Sequence, residues 1–156
     1  MGFWGSFSGF EFGEGAPWPG REGYLDSEKY QIRVRDWDAP ANIRAEIAAL
    51  NRIRRANPAL QSHLGVRFYN AFNDQVLLFG KRAGRAMVLV AVSFDPHHAQ
   101  EATIEVPGWE WGLPDDGVVA VDDLMRETRF IWRGKTQRIR LDPADLPFAI
   151  WRVTPA

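Results

Sequence analysis

From residue 64 onward, the chain changes to short runs of residues with a period of two, the period of a β-strand. Turn signals such as FND, RAG and RGK separate several of these runs, and no helical pattern interrupts them. Such strands pair with their neighbours in antiparallel order. The last run, FAIWRV, has large apolar residues at both parities, which predicts burial on both faces. We therefore predict a mainly β fold, an antiparallel β-sandwich of eight strands: Val66–Tyr69, Gln75–Arg82, Met87–Ser93, Ala102–Val106, Val118–Leu124, Thr128–Trp132, Arg138–Leu141 and Phe148–Val153.

One amphipathic helix is predicted ahead of the sandwich, in ANIRAEIAALNRIRRANP. Asp38 or Asn42 is placed to cap its start, and Asn57 followed by Pro58 ends it, because the residue before a proline avoids helical angles. Its apolar stripe has the three-four spacing of a helix face and consists of Ile43, Ile47, Leu50 and Ile53. The arginines at 44, 52, 54 and 55 lie largely on the other face, and we interpret them as a solvated surface.

The first 37 residues do not belong to the sandwich pattern. GFEF reads as one short strand, and GEGAPWPGREG behind it reads as a Gly/Pro loop. The loop continues through YLDSEKYQIRVRDWD, which is rich in charge and contains neither Gly nor Pro. Loops of this length are uncommon in compact domains unless they have a function. A strand, a long loop and a helix ahead of a sandwich indicate the end of a larger domain.

Composition excludes several classes of protein. Lys and Arg number 19 against 20 Asp and Glu, and this balance argues against a nucleic-acid-binding face. There is no cysteine, hence no disulfide framework and no thiolate zinc site. No apolar run reaches the ~20 residues of a membrane span, and the aromatic, glycine-rich N-terminus does not resemble a signal peptide. These features predict a cytoplasmic protein without a membrane partner.

Few residues suggest catalytic or metal chemistry. His97 and His98 follow a turn, but neighbouring residues of an extended chain point in opposite directions, and no third ligand recurs at metal-binding spacing. The acidic pairs Asp115–Asp116 and Asp122–Asp123 have no proton donor at a defined spacing. No nucleophile elbow, P-loop or dinucleotide fingerprint occurs. We therefore assign no metal site and no catalytic residue.

Trp109 and Trp111, in PGWEWGLP, are the aromatic residues most suited to binding in the sandwich part. An indole can pack on the apolar face of a sugar ring. In an extended segment, a spacing of two would place both indoles on one side. Two interpretations stay open: a glucan contact, and a loop folded against the sandwich edge or against another domain.

A family resemblance rests on specific motifs. These are EKYQIRVRDWD with the helix behind it, RANPALQ, and DPHHAQ inside the sandwich. With these motifs, nearly the whole chain resembles the C-terminal part of the bacterial alpha-glucan:maltose-1-phosphate maltosyltransferases, which belong to the alpha-amylase family, glycoside hydrolase family thirteen. Members of that family have a β/α barrel followed by a small antiparallel sandwich called domain C.

The resemblance implies a division of the chain into two parts. Residues 1–60 would be the remnant of the barrel, with its eighth strand at Ser8–Phe12, the following loop at Gly13–Pro40 and the eighth helix at Ala41–Ala56. Residues 61–156 would be domain C. The rest of the barrel would precede Met1, which we expect to be an artificial or misplaced start.

The resemblance also implies a function. The family's nucleophilic Asp, acid/base Glu and supporting Asp stand on earlier barrel strands, so this chain alone is expected to be inactive. The parent enzyme would extend α-1,4-glucans from maltose 1-phosphate, without a metal or organic cofactor, as a homodimer. Lys29 and Tyr30 match a Lys-Tyr pair that contacts the maltosyl donor on the C-terminal face of the barrel.

Two alternatives remain at this stage. The chain could be a non-catalytic domain C of an alpha-amylase-type hydrolase, acting as a structural domain or as a weak glucan-binding module. An ordinary amylase as the parent is disfavoured because EKYQIRVRDWD is not expected there.

Overall fold

A computed structural model describes residues 9–20, 32, 34–40 and 42–156. Helix α1 spans Arg44–Ala56. The strands are β1 Val66–Tyr69, β2 Val76–Ala83, β3 Ala86–Ser93, β4 Gln100–Glu105, β5 Val118–Asp123, β6 Thr128–Arg133, β7 Thr136–Leu141 and β8 Phe148–Pro155. All eight predicted strands are therefore confirmed, with ends that differ from the prediction by at most two residues.

The strands form two antiparallel sheets. Six of them make a sheet in the order β1-β2-β3-β8-β5-β6, and β4 pairs with β7 in the second sheet. Strand β8 enters between β3 and β5, where Leu89 lies opposite Trp151 and Val121 opposite Val153. The mainly β fold class and the sandwich architecture are confirmed.

The core lies between the two sheets because apolar residues alternate along the strands. Leu78, Leu89, Val121 and Val153 point inward from the large sheet, and Ile104 from the small one; none is more than 1% exposed. Trp132 and Trp151 meet edge to face, with ring centroids 5.1 Å apart. In β8 three consecutive residues, Ala149–Trp151, are buried, so the burial of this strand on both faces is confirmed.

The chain after β1 connects the two sheets. Ala71 forms an isolated bridge with Ile104, and the amide of Phe72 donates to the carbonyl of Thr103 over 2.9 Å. The same connection continues at Asn70, whose carbonyl accepts from the amide of Glu105. The segment therefore pairs with β4 and closes one side of the sandwich, where an unpaired edge would otherwise lie.

Helix α1 ends at Ala56 as predicted and begins at Arg44, three residues after the predicted start at Ala41. The side-chain oxygen of Asn42 accepts a hydrogen bond from the amide of Arg44, and the side-chain amide of Asn57 donates to the carbonyl of Ile53 over 2.7 Å. Both contacts satisfy backbone groups that a helix leaves unpaired at its ends. Within the predicted apolar stripe only Ile53 is buried, and the other three residues are half-buried.

The strand predicted at residues 8–12 is wrong for the part that the structure describes. Phe10–Phe12 is a turn of 3₁₀ helix, and Gly9 before it has φ +104°, which a strand does not allow. The amide of Gly9 donates to the Glu11 carboxylate over 3.1 Å. A strand needs a neighbour for its ladder, and no described strand pairs with this segment. Local hydrogen bonds decide its conformation instead.

The backbone groups into two compact units, Gly2–Arg52 and Ile53–Ala156. The domain boundary that we place between residues 60 and 61 stays a prediction. In the described ranges, no helix has the length and apolar character needed to cross a membrane.

Candidate functional site

The segment that carries Trp109 and Trp111 is a short helix and not an extended chain. Gly108–Trp111 forms a 3₁₀ helix, which Gly112 closes by donating its amide to the carbonyl of Trp109 over 3.0 Å. Each residue of a 3₁₀ helix turns by about 120°, so residues two apart point in different directions. The expectation that both indoles share one side is therefore wrong.

The ring of Trp109 is exposed to solvent on one side, and neighbouring side chains lie against it. Its side chain is 47% exposed. The ring meets that of Tyr69 in β1 edge to face at 6.0 Å, and the Lys135 ammonium lies 5.8 Å from the indole centroid. Lys135 is itself held 3.6 Å from the Glu105 carboxylate. These contacts favour one orientation of an otherwise exposed indole.

Glu110 joins the 3₁₀ helix to the first two strands. Its side chain is only 10% exposed, and it accepts hydrogen bonds from the Arg67 guanidinium and, over 3.4 Å, from the Tyr69 hydroxyl. Arg82 donates to the backbone carbonyl of Glu110 and stands 3.9 Å from its carboxylate. Burial, and then the negative charge of Glu110, raise the pKa of Tyr69 to about 12, so the hydroxyl stays a proton donor.

An open depression of about 380 Å³ lies at this cluster. Arg67, Arg82 and Glu110 line it together with Gly65 and Gly84. Its volume falls at the lower end of the ~300–1,000 Å³ typical of ligand pockets, but its walls are more polar than usual. Hydroxyl groups of a ligand would find guanidinium donors and a carboxylate acceptor here.

Trp111 faces the sandwich core. It packs against the buried cluster as a half-buried residue, with the Arg82 guanidinium 5.6 Å from its ring centroid. Its indole nitrogen is buried and has no hydrogen-bond partner among the described residues. The two tryptophans thus have unequal positions, and only Trp109 offers an exposed ring.

The polar half of this site was not predicted from the sequence. Glu110 is 43 residues from Arg67 and 41 from Tyr69. No local spacing connects residues so far apart. The available signal was the charged residue between the two tryptophans, Glu110, which is a weak one.

The histidine pair belongs to a turn organised by Asp95. One oxygen of this carboxylate accepts the amides of His97 and His98 over 2.8 and 3.0 Å, and the other accepts from the Gln100 side chain over 2.9 Å. The hydrogen bond from the His97 amide, followed by those from His98, lowers the pKa of Asp95. DPHHAQ is thus explained as a turn motif, because its Asp and Gln bond to each other across the turn.

The acidic pair at the end of β5 is also engaged in structure. Asp122 accepts hydrogen bonds from Arg152 over 2.7 Å and from Arg129 over 2.5 Å. Burial raises the pKa of this carboxyl, but the interactions with the two arginines outweigh burial and lower the pKa overall. Asp123 is 5% exposed and accepts the amides of Met125 and Arg126 in the following turn. A general acid needs a raised pKa, so Asp122 is unsuited to that role.

Across the described part of the chain, no group of three or more histidine, aspartate or glutamate side chains could hold a metal ion. Lys29 and Tyr30, the residues that the resemblance assigns to the maltosyl donor, lie outside the described residues. Their role stays a prediction.

Similarity to known proteins covers nearly the whole chain. The chain is 60% identical over 154 residues to an alpha-1,4-glucan:maltose-1-phosphate maltosyltransferase of Pseudomonas aeruginosa. It is 46% identical over 154 residues to the enzyme of the same name from Cereibacter sphaeroides. Each alignment covers 97% of this chain and 23% of the relative, so the chain spans about a quarter of the length of these curated relatives.

Fold and family comparisons agree with this similarity. An alpha-amylase of Anoxybacillus superposes with a TM-score of 0.56 at 16% identity, over 80% of this chain and 25% of that structure, which supports the fold alone. Residues 68–153 match the family model described as "GLGE, C-terminal". This match takes in strands β2 to β7 completely, the second half of β1 and most of β8. The chain therefore belongs to the GLGE C-terminal family.

Proposed function

We propose that the chain is the C-terminal part of a maltosyltransferase that extends α-1,4-glucans by two glucose units from maltose 1-phosphate, with retention and release of phosphate. The observation that carries the proposal is the 60% identity to a relative of that name, which extends through the helix as well as the sandwich. The cysteine-free sequence is in keeping with the cytoplasmic location that we propose for the enzyme.

Catalysis belongs to the parent enzyme in this proposal. A retaining transfer uses a nucleophilic carboxylate and a separate acid/base carboxyl. In the described ranges, the acidic residues nearest the expected barrel face have structural contacts: Glu11 accepts the Gly9 amide, and Glu14 pairs with Arg35 at 3.1 Å. We therefore propose that the sandwich unit stabilises the enzyme and that the reacting carboxylates lie elsewhere in it.

Lys29 and Tyr30 are the proposed contribution of this chain to donor binding. A lysine ammonium donates to sugar hydroxyls, and a tyrosine offers both a hydroxyl and a ring. Neither residue carries a step of bond making or breaking in this proposal, so their loss should act on binding more than on chemistry.

The remaining barrel and a second copy of the enzyme are the proposed partners. The half-buried stripe of α1, residues Ile43, Ile47 and Leu50, supports an apolar neighbour for this helix. No single residue is assigned to a contact with the second copy.

The test compares the parent enzyme, expressed from the full reading frame, with the 156-residue chain. Phosphate release from maltose 1-phosphate with a maltohexaose acceptor should occur with the parent alone. In the parent, Lys29→Ala and Tyr30→Phe should raise KM for maltose 1-phosphate more than they lower kcat. Arg52→Ala, on the exposed face of α1, is the matched control and should leave both parameters unchanged.

Two results would contradict the proposal. Phosphate release by the 156-residue chain at an enzymatic rate would show that the reacting carboxylates lie within it. A parent that hydrolyses glucans and ignores maltose 1-phosphate would instead support the amylase-type alternative.

A further inference from the structure

The surface around Trp109 combines an exposed aromatic ring with fixed polar groups. The indole of Trp109 is held by Tyr69 at 6.0 Å and by Lys135 at 5.8 Å. Next to it, Glu110 receives Arg67 and Tyr69, and the depression of about 380 Å³ opens at Arg67, Arg82 and Glu110. An apolar platform and an array of donors and acceptors thus lie side by side.

This combination suits a neutral polyhydroxylated ring. The face of a pyranose presents C–H groups that pack on an indole, and its edge presents hydroxyls that pair with guanidinium and carboxylate groups. The three cations Arg67, Arg82 and Lys135 each pair with one of the two anions Glu105 and Glu110, so a single positive charge is left over to attract an ionic ligand.

A protein partner is a poorer match to the same surface. A stable protein interface buries at least ~1,000 Å² around an apolar centre. Here one exposed indole is surrounded by charged side chains, whose desolvation under a protein would be costly. A sugar keeps those charges hydrogen-bonded through its own hydroxyls and leaves their outer sides in water.

We propose that Trp109, with Arg67, Glu110 and Lys135, forms a surface binding site for an α-1,4-glucan. One glucose ring stacks on Trp109, and the neighbouring unit reaches the depression lined by Arg67, Arg82 and Glu110. The choice of an α-1,4-glucan over other saccharides rests on the proposed function, whereas the choice of a saccharide rests on the site. Trp111 takes no part, because its ring faces the core.

Calorimetric titration of the 156-residue chain with maltoheptaose tests the site. We expect saturable binding with a Kd of ~1 mM, since one stacked ring and a few exposed hydrogen bonds give weak affinity. Trp109→Ala should weaken binding about tenfold, which corresponds to the loss of one aromatic stack. Trp109→Phe should restore part of the affinity, and Glu110→Gln should weaken binding several-fold.

Phe94→Ala is the matched control. Phe94 is an exposed aromatic residue of the same unit, at 60% exposure, and has no part in the Trp109 site. This variant should bind maltoheptaose like the unchanged chain. Near-ultraviolet circular dichroism of each variant verifies that the fold is retained.

The proposal is overturned if maltoheptaose shows no saturable binding, or if Trp109→Ala and the unchanged chain bind equally. Cellohexaose binding as tightly as maltoheptaose would also overturn it, because the site would then not select α-1,4 linkages. The titration contains no maltose 1-phosphate and no catalytic step. A negative result therefore refutes the surface site, while maltosyl transfer is decided by phosphate release from the parent enzyme.

Discussion

The part of the chain up to Arg52 and the part from Ile53 onward are held together in different ways. Among the described residues, every buried apolar side chain lies at or after Ile53. The sandwich encloses Met87, Leu89, Ala91 and Ile104 at 0% exposure. The sandwich is thus stabilised by the burial of apolar side chains, which is the dominant favourable contribution to folding.

The earlier part relies on surface contacts. Phe12 meets Trp37 edge to face at 5.1 Å, and Arg35 pairs with Glu14 at 3.1 Å. Apolar side chains nearby stay in solvent, with Ile32 at 97% and Val34 at 100% exposure. Exposed pairs contribute little to stability, typically ~0–1 kcal/mol each. Changes in the sandwich should therefore affect unfolding of the chain far more than similar changes before Arg52.

The largest expected difference is between Leu89→Ala and Ile47→Ala. Leu89 is fully buried at the centre of the large sheet, so we expect a loss of about 3 kcal/mol in the free energy of unfolding. Ile47 in α1 is half-buried, so its truncation should cost about 1 kcal/mol or less. Urea unfolding followed by tryptophan fluorescence measures both. Equal losses in the two variants would contradict the contrast between the regions.

Two aspartates in similar turns allow a closer comparison. Asp123 is buried and accepts the Met125 amide over 3.1 Å, while Asp36 is exposed and accepts the Asp38 amide over 3.0 Å. Asp123→Ala removes a buried carboxylate and takes this acceptor from the part-buried amides of Met125 and Arg126, so it should cost about 2 kcal/mol. Asp36→Ala lets water replace the carboxylate and should cost less than ~0.5 kcal/mol. Urea unfolding measures the free energy of unfolding of both variants. If Asp36→Ala lowers it as much as Asp123→Ala does, burial of the aspartate does not determine the loss of stability.

Much of the sandwich could be predicted because its pattern is local. Alternating residues and turn signals were sufficient to locate β1 at Val66–Tyr69 and to predict that β8 is buried on both faces. The caps of α1 could also be predicted, since Asn42 and Asn57 act on backbone groups only a few residues away. The strand order could not be predicted from the sequence, because the insertion of β8 between β3 and β5 depends on contacts between residues that are distant in sequence.

The wrong predictions share a physical cause. GFEF was predicted to be a strand from its composition, but a strand requires a partner, and the local bond to Glu11 favours a turn. Trp109 and Trp111 were predicted to share a side because an extended chain was assumed, whereas the 3₁₀ helix separates them. To predict the Glu110 cluster, one must know which strands approach the 3₁₀ helix, and no local sequence pattern contains that information.

The dependence of stability on pH offers a smaller contrast. Hydrogen bonds from Arg152 and Arg129 hold the pKa of Asp122 below its ordinary value, despite the opposing effect of burial. A carboxyl with a lowered folded pKa stabilises the fold above its unfolded pKa, and this stabilisation is lost as pH falls through the folded pKa. Asp122→Asn should therefore cost about 1 kcal/mol at neutral pH and progressively less in acid.

Unfolding curves at several pH values between ~7 and ~2 test this prediction. A difference between Asp122→Asn and the unchanged chain that stays constant over that range would contradict it. Glu14→Gln, which removes the charge that faces Arg35 in the earlier region, should change the unfolding free energy less than Asp122→Asn at neutral pH, because the Glu14 carboxylate is more exposed.

The smallest expected effect concerns residues with positive φ, and each of the two regions contains such a residue. Glu127, in the turn before β6, has φ +54°, and Gly13, in the part of the chain up to Arg52, has φ +71°. Only glycine adopts such angles without strain, so Glu127→Gly should raise the free energy of unfolding by about 0.5 kcal/mol. Its side chain is exposed, and Glu127→Ala, which keeps the strain, is the matched control that should give no gain.

Gly13→Ala introduces in the earlier region the strain that Glu127→Gly removes from the sandwich. If unfolding of the chain is governed by the sandwich, Gly13→Ala should alter the urea midpoint less than Glu127→Gly, although the φ angles are similar. A loss for Gly13→Ala that matches or exceeds the gain for Glu127→Gly would mean that the earlier region unfolds together with the sandwich. The contrast in burial would then not imply a contrast in stability.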